Sequence, residues 1–322
     1  MRSVYIPIII LTLYCGACSS SNPSGQNSSG PVTGDTSNPT QTGPGTGNLP
    51  PPTFPEQGNP SLSENFASLS TNFNSTKSIP DGMIQFGILN GEAQDSKIAQ
   101  LIIPGHPEYG QNDFKSPPGV QLESLQSFAF GTFRNHLQAS ACAQANEGVI
   151  YGIFTYQNDG SDNNVNGIID NNEIDIEISC DSPDTIFLTL WTDYSSDSSF
   201  RKVTRKINLK TGSYIETKAG EENQWALNQS GQLTTFPGIS SIGEWLDVGF
   251  TWKSNKVEFF LYSNGIRYSL WIYQDSNHIP QHAAPFLYNV WHTPTLWSND
   301  GIADYPSSTV LLKLDTFSYF QP

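Results

Sequence analysis

The sequence is poor in basic residues, and this shortage limits the partners it can bind. Lysine and arginine together number 15, against 30 aspartates and glutamates, so the formal net charge is −15 over 322 residues. A nucleic-acid backbone or an anionic membrane surface is bound through basic patches, which this composition does not supply. The same balance disfavours a heavily sulfated or carboxylated substrate. We therefore expect no nucleic-acid partner.

Long apolar runs and helical periodicity are also missing. The one apolar stretch, at the N-terminus, is too short to span a bilayer comfortably, and the sequence has no second long apolar run. This excludes a polytopic membrane protein. No segment shows the 3.6-residue apolar period of an amphipathic helix. Aromatic residues, by contrast, make up 12% of the chain, while charged residues make up only 14%. Such a composition favours an extracellular β-rich protein.

The N-terminal stretch has the parts of an export signal. Arg2 precedes a short apolar core, and the small pair Gly-Ala precedes Cys18. Gly-Ala-Cys resembles the lipobox of bacterial lipoproteins, with Cys15 where that pattern usually has leucine. The resemblance implies that residues 1–17 are removed and that Cys18 carries a lipid. We expect an exported protein anchored at the outer membrane or cell surface. Ordinary secretion with cleavage nearby is the alternative.

Residues 18–62 are mostly Ser, Gly, Asn, Pro and Thr. Such a segment cannot bury enough apolar surface to offset its chain entropy. We predict a disordered tether that holds a domain, residues 63–322, away from a membrane. A disordered N-terminus without this role is the alternative.

Cys142 and Cys180 are the cysteines that remain. In an oxidising compartment two such cysteines are a candidate disulfide. If the β-rich stretches 148–156 and 172–180 pair as a hairpin, Cys180 lies opposite about residue 148, six residues beyond Cys142. A bridge is then sterically allowed, and two buried free thiols are the alternative.

Residues 63–322 consist of short β-rich runs separated by turn residues. The clearest hairpin spans residues 256–271, with Asn264 and Gly265 at its turn. Many short strands at regular spacing predict one all-β domain, a sandwich or a barrel.

The run Glu173-Ile-Asp175-Ile-Glu177 alternates strictly between acidic and apolar residues. On a strand, positions i, i+2 and i+4 face the same side, so three carboxylates share one face. Like charges side by side are unfavourable, and protonation of one of them relieves the repulsion. A protonated acid beside an ionised carboxylate is what retaining glycoside hydrolysis needs. An exposed acidic face and a set of calcium ligands are the alternatives.

This pentapeptide resembles the catalytic motif of glycoside hydrolase family 16. The single residue between the aspartate and the second glutamate resembles the lichenase and xyloglucan-active branch of that family. Weaker resemblances follow in the family's order within residues 80–320, at positions 130–133, 153–156, 250–252, 257–260, 289–291 and 314–315. The resemblance implies a concanavalin A-like jelly-roll β-sandwich with a sugar cleft across one sheet.

The resemblance also implies roles for individual residues. Glu173 would be the nucleophile, Asp175 the assisting carboxylate and Glu177 the acid/base. The cleft residues that it implies are Phe154, Tyr156, Trp191, Asn289 and Trp291. Aromatic faces stack on sugars and amides bind hydroxyls, so these residue types suit the role; core packing is the alternative for Phe154.

From these roles we expect a monomeric retaining endo-β-glycanase that needs no cofactor for its chemistry and acts on a neutral β-glucan-type polysaccharide. Three positions depart from the family pattern. Asn171 stands where lichenases have tryptophan, His136 where the family has a cleft arginine, and Thr189 where it has a cleft asparagine. Because of these departures, a non-catalytic glycan-binding lipoprotein on the same fold is the alternative function.

A calcium interpretation competes at the same place. Residues 162–173 fit an EF-hand-like loop in which Asp162 is the first ligand and Glu173 the last. The flanking segments read as strands, however, and a calcium-bound Glu173 has no lone pair left for nucleophilic attack. A long turn-rich loop is the simpler interpretation. The family resemblance places a structural calcium elsewhere, near Asp315. A calcium-dependent surface module is the third candidate function, and in none of these readings is a metal catalytic.

Overall fold

The computed structural model describes residues 54–77, 82–109, 119–158, 160–162, 167, 169–194, 201–217, 229–275 and 278–322. The signal-like stretch, the lipidation candidate Cys18 and most of the predicted tether lie outside these residues. Residues 55–322 form one compact unit. The described part of the chain contains strands and one short 3-10 turn but no α-helix, and it offers no helix that could span a bilayer.

The strands form two antiparallel sheets, and the sequence-based prediction of a jelly-roll β-sandwich is confirmed. One sheet, here the back sheet, has the order β15 (Ile266–Tyr273), β14 (Lys256–Ser263), β13 (Leu246–Lys253), β6 (Gly131–Ala139), β17 (Val310–Phe320), β4 (Lys97–Ile103) and β3 (Met83–Leu89), with β1 (Leu62–Glu64) also paired to β17. The front sheet has the order β12 (Gln229–Gln232), β11 (Ser213–Glu216), β10 (Arg201–Asn208), β9 (Thr185–Tyr194), β8 (Ile169–Ser179), β7 (Val149–Gln157), β16 (Ala284–His292), β5 (Gly119–Phe128) and β2 (Phe73–Lys77).

The core lies between the sheets and follows from the two-residue period of the strands. On β8, Ile174 and Ile176 point inward and are completely buried. Across the interface, Phe133 of β6 stacks on Phe286 of β16 with ring centroids 5.4 Å apart. Burial of these side chains fixes which face of each strand remains available for a site, because a shift by one residue would turn every side chain over.

The folded unit begins at Pro55, earlier than the predicted boundary at residue 63. A 3-10 turn covers Pro55–Gln57, and the side chain of Glu56 is fully buried, where it accepts a 2.6 Å hydrogen bond from Arg267 Nε. Strand β1 then pairs with β17. The composition of this segment resembles a tether, but a buried ion pair and backbone pairing hold it to the back sheet.

Cys142 and Cys180 are joined by a disulfide, with their Cα atoms 5.7 Å apart. The backbone N–H of Cys180 donates to the carbonyl of Val149, which extends the β7–β8 pairing by one residue beyond the strand. The hairpin geometry expected from the sequence therefore brings the two cysteines together.

Candidate active site

Strand β8 presents Glu173, Asp175 and Glu177, here called the triplet, on the outward face of the front sheet. Asp175 is buried, with 4% of its surface exposed, and the two glutamates are half-buried. The placement follows from local sequence alone, because the isoleucines between them are taken up by the core.

Pairing with the neighbouring strands surrounds each member of the triplet. Glu173 lies in register with Tyr156 of β7 and with Trp191 of β9, and Trp191 in turn lies in register with Lys202 of β10. Residues directly opposite each other across a ladder share a face. These four side chains therefore form one row across the front sheet.

Two further rows run parallel to the first. Asp175 lies between Phe154 of β7 and Thr189 of β9. In the row of Glu177, the neighbours are Gly152, Asn289, Phe187 and Lys206. The strands thus place aromatic, amide and basic side chains that are far away in the sequence in the same rows as the triplet.

Hydrogen bonds hold the triplet in place. Asn171 Nδ2 donates to Glu173 Oε2 over 2.6 Å, and Trp191 Nε1 donates to Asp175 Oδ2 over 3.0 Å. A further hydrogen bond links the carboxyl groups of Asp175 and Glu173. The side chain of Asp175 is therefore fixed from both sides, by an indole and by a carboxyl group.

Burial raises the pKa of all three carboxyl groups. The pKa of Glu173 rises to about 7, and that of Glu177 rises to about 8. The pKa of Asp175 lies well above its ordinary value, because of burial and because of the charges of the two glutamates. Hydrogen bonds from Asn171 and Asp175 act in the opposite direction on Glu173. Glu173 is therefore the member that ionises most readily, and near neutral pH an ionised Glu173 coexists with protonated neighbours.

Several of the expected sugar-binding residues lie on the same face. Tyr156 is 38% exposed, and Phe154 and Trp291 are half-buried. The Oδ1 atom of Asn289 is buried and has no hydrogen-bond partner among the described residues. Gly152 makes room for this amide, because a Cβ atom at that position would lie 2.4 Å from Asn289 Oδ1.

Trp191 differs from the expectation that it would offer a stacking surface to sugars. Only 8% of the residue is exposed, its indole N–H is used by Asp175, and Lys202 Nζ lies 4.6 Å from the ring centroid. The face of the ring is covered by a cation. Trp191 thus contacts the triplet through the hydrogen bond from its indole N–H to Asp175.

His136 lies on the other sheet from the triplet. Its Nδ1 atom is 2.6 Å from Asp315 Oδ2, and its ring stacks on Trp245 with centroids 4.8 Å apart. The correspondence with a cleft arginine is therefore wrong for this chain, because the side chain of His136 on β6 points toward a back-sheet carboxylate.

The other two departures do lie at the triplet. Asn171 is the donor to Glu173 described above, and Thr189 accepts a 3.3 Å hydrogen bond from the hydroxyl of Thr204 on β10. Lys202 and Lys206 were missed by the sequence reasoning. Their spacing of four residues on a β-rich run places both on one face, which is a signal that the sequence does contain.

Calcium binding at the two positions expected from the sequence stays a prediction. Strand β8 begins at Ile169, so the last five positions of the EF-hand-like loop are extended; residues 163–166 and 168 lie outside the described residues. In the other candidate site, Asp315 is completely buried, and its two carboxylate oxygens accept hydrogen bonds from the backbone N–H of Gln94 while Oδ2 also contacts His136. These contacts fix the orientation of the Asp315 carboxylate in the back sheet.

The fold and the row of carboxylates define a jelly-roll β-sandwich with an acidic site on its front sheet, and comparison with known proteins agrees on the fold. No protein-family model and no curated protein matches the sequence. Among solved structures, a prokaryotic β-1,3-1,4-glucanase (lichenase) from a mouse hindgut metagenome is 16% identical, over 81% of this chain and 99% of that one, with a TM-score of 0.50.

Two further solved structures are similar. The Bacillus licheniformis β-glucanase is 12% identical over 82% of this chain and 99% of that one, with a TM-score of 0.48. A Bacteroides ovatus family 16 enzyme of a mixed-linkage glucan locus, in complex with its G4G4G3G product, is 10% identical over 80% of this chain and 99% of that one, with a TM-score of 0.49. At 16% identity, the similarity to the lichenase structure shows the fold of this chain, a jelly-roll β-sandwich.

Proposed function

We propose that this protein is a retaining endo-β-glycanase that hydrolyses a neutral β-glucan-type polysaccharide. The observation that carries the proposal is the triplet itself: three carboxyl groups on one strand face, in which hydrogen bonds from Asn171 and Asp175 favour the ionised form of Glu173 and burial raises the pKa of Glu177 to about 8. Retaining hydrolysis requires an ionised nucleophile beside a protonated acid. Here the different surroundings of Glu173 and Glu177 favour these two states in two residues of the same type.

In the first step, the Glu173 carboxylate attacks the anomeric carbon, and the bond from that carbon to the leaving oxygen breaks. Glu177 gives its proton to the leaving oxygen. In the second step, Glu177 takes a proton from water, the water oxygen attacks the anomeric carbon, and Glu173 is released as a carboxylate. The hydrogen bond from Asp175 stabilises the charge on Glu173 before the first step and after the second.

The same face supplies groups suited to a sugar chain. Phe154, Tyr156 and Trp291 offer partly exposed aromatic rings, and stacking on the apolar faces of sugars is a role for such rings. The unpaired Oδ1 of Asn289 is an acceptor that a sugar hydroxyl would satisfy, since a buried polar atom without a partner is unfavourable. The lipid anchor at Cys18 and a monomeric state are part of the proposal and rest on the sequence alone.

The test is release of reducing sugars from mixed-linkage β-glucan, laminarin, xyloglucan and agarose. We expect release from at least one polymer and a loss of at least about 10³-fold in Glu173→Gln and in Glu177→Gln, because each variant removes a group that bonds to, or transfers a proton at, the reacting atoms. Equal release by the wild type and both variants would refute the assignment.

The second candidate function is a non-catalytic glycan-binding protein on the same fold. The departures at Asn171 and Thr189 favour it, because the groups beside the triplet differ from those of the hydrolases that the sequence resembles. The Glu177→Gln variant separates the two functions. A binding protein keeps its affinity for the polymer in a pull-down assay and shows no turnover before or after the change, whereas an enzyme keeps binding and loses turnover.

A further inference from the structure

Strand β10 concentrates basic residues in a chain that has few of them. Of the 15 lysines and arginines in the protein, four occur in its eight residues: Arg201, Lys202, Arg205 and Lys206. Arg205 reaches the back sheet, where its Nη1 donates to the carbonyl of Leu270 over 3.0 Å. By the alternation of the strand, Lys202 and Lys206 lie on the front face with the triplet.

Lys202 is connected to the triplet through Trp191. Its ammonium group lies 4.6 Å from the centroid of the indole ring, close enough for a cation–π interaction. The N–H of the same indole donates to Asp175, and the carboxyl group of Asp175 is hydrogen-bonded to Glu173. A cation, a ring and two carboxyl groups therefore form one continuous set of contacts that ends at the proposed nucleophile.

The surroundings of Glu173 are otherwise acidic or uncharged on the strands beside it. The titratable side chains around it in the described residues are Asp170, Asp175 and Glu177 on β8, Asp193 on β9, Tyr156 on β7, and His282, whose Nε2 lies 3.9 Å from Asp170. The positive charge of Lys202 lowers the pKa of both Glu173 and Glu177, against the effect of burial. Without that charge, a half-buried carboxylate among carboxylates would hold its proton more tightly.

We propose that Lys202 is a positioning residue: it holds the Trp191 ring so that the indole N–H stays on Asp175, it places a positive charge near the proposed nucleophile, and it leaves the substrate chain to stack on the β7 and β16 side of the site. This proposal rests on the proposed hydrolytic function. The β9 and β10 side of the front sheet then controls the ionisation of Glu173, and the β7 and β16 side contacts the sugar chain. A sugar cannot lie on the Trp191 ring without displacing Lys202.

Lys206 provides a matched control. It lies four residues further along the same strand, with its Nζ 5.4 Å from the ring centroid of Phe187, in the row of Glu177. Lys206→Met thus removes one positive charge that also lies over an aromatic ring on the same face, but away from the contacts that lead to Glu173.

The first experiment measures the pH profile of kcat/KM for the wild type, Lys202→Met, Lys202→Arg and Lys206→Met. In Lys202→Met we expect the acidic limb, which reports ionisation of Glu173, to move up by about one pH unit. The alkaline limb moves in the same direction because Glu177 loses the same charge. Lys202→Arg keeps the wild-type profile, and Lys206→Met leaves the acidic limb in place. A lower rate in Lys202→Met with unmoved limbs would overturn the proposal.

A second measurement does not depend on turnover. In protein labelled with ¹³C at glutamate carboxyl groups, the Glu173 signal is identified by its loss in Glu173→Gln and titrated in the wild type and in Lys202→Met. A higher pKa of Glu173 in Lys202→Met supports the positioning role even if no polymer is cleaved, in which case only the proposed function fails. An unchanged pKa in a folded variant overturns the role of Lys202 whether or not the protein is an enzyme.

Discussion

The two faces of the sandwich hold their carboxyl groups in opposite ways. On the back sheet, Glu56 is completely buried, and Arg267 Nε binds it over 2.6 Å, so the charge is neutralised by direct contact. On the front sheet, Glu173, Asp175 and Glu177 are grouped with each other, and burial raises the pKa of each. The back-sheet ion pair neutralises a buried charge, whereas the close grouping of three carboxyl groups in the triplet is unfavourable for folding.

Whether a buried carboxyl group has a cationic partner distinguishes a structural region from a candidate functional site. A buried charge with a well-placed partner is compatible with a stable fold, although replacing the pair by apolar residues is often neutral. A group of like charges with displaced pKa values is unfavourable in itself, and such groups cluster at functional sites. Two acidic regions of similar composition therefore have different roles in one domain.

The largest expected difference in stability comes from breaking a back-sheet pair. Arg267→Met leaves Glu56 buried without its cation and also removes the 2.6 Å bond to Glu258. We expect the free energy of unfolding to fall by about 3–5 kcal/mol, measured by urea denaturation at pH 7. The control is Glu177→Gln on the front sheet, which should keep stability because burial raises the pKa of Glu177 to about 8, so at pH 7 the amide replaces a mostly neutral carboxyl group. A loss in Glu177→Gln as large as that in Arg267→Met would end the distinction between the faces.

The next effect concerns pH, and its sign is opposite on the two faces. The folded-state pKa of each front glutamate, about 7 and about 8, lies above the ordinary value of 4.5. Between pH 4.5 and 8 the folded state holds protons that the unfolded state has lost, so this contribution to stability falls as pH rises. On the back sheet, burial alone would raise the pKa of Glu258, but hydrogen bonds and charge from Arg267 lower it, so its contribution is lost as pH falls below 4.5.

The measurement is urea denaturation at pH 5 and pH 8. Taken in full, the two raised pKa values correspond to about 6 kcal/mol between these pH values, and solvent screening of the half-buried side chains reduces this to about half, so we expect the wild type to lose about 3 kcal/mol through the front glutamates. The double variant Glu173→Gln, Glu177→Gln should lose much less, since neither side chain titrates. A double variant with the same pH dependence as the wild type would mean that other groups control it.

The smallest expected effect is that of a chelator. Asp315 is satisfied by Gln94 and His136, so the back sheet should not depend on calcium. We expect EDTA to shift the midpoint of thermal unfolding by less than about 1 °C, and Asp162→Ala to respond in the same way. A decrease of several degrees that added Ca²⁺ reverses would show that a metal is part of the fold.

Much of the fold follows from local patterns. The runs 148–156, 172–180 and 256–271 correspond to β7, β8 and the β14–β15 hairpin within a few residues, because alternation and turn residues mark them. Strands β1, β2, β3, β11 and β12 were not predicted. They are short or lie toward the edges of the sheets, and β1 occurs in a segment whose composition resembles a linker. Their formation depends on a partner strand that the local sequence does not identify.

The candidate site likewise has features that follow from local sequence and features that do not. The common face of Glu173, Asp175 and Glu177 is a local property, because alternation on one strand requires nothing else. The side of the sandwich on which His136 lies is not local, since a motif match does not say which sheet its strand joins. The use of the Trp191 ring is also not local, because it depends on the strand register that places Lys202, eleven residues away in the sequence, over the ring.

By itself, the sequence determined the all-β class, the grouping of three carboxylates on one face and the two cysteines available for a bridge. Only the tertiary structure decided that Lys202 covers Trp191, that Asp315 accepts a hydrogen bond from the backbone of Gln94 and contacts His136, and that the folded unit starts at Pro55. The reason is physical. Alternation is set by the backbone of a single strand, whereas strand register and ion pairs such as Glu56–Arg267, 211 residues apart, form only when the whole sandwich closes.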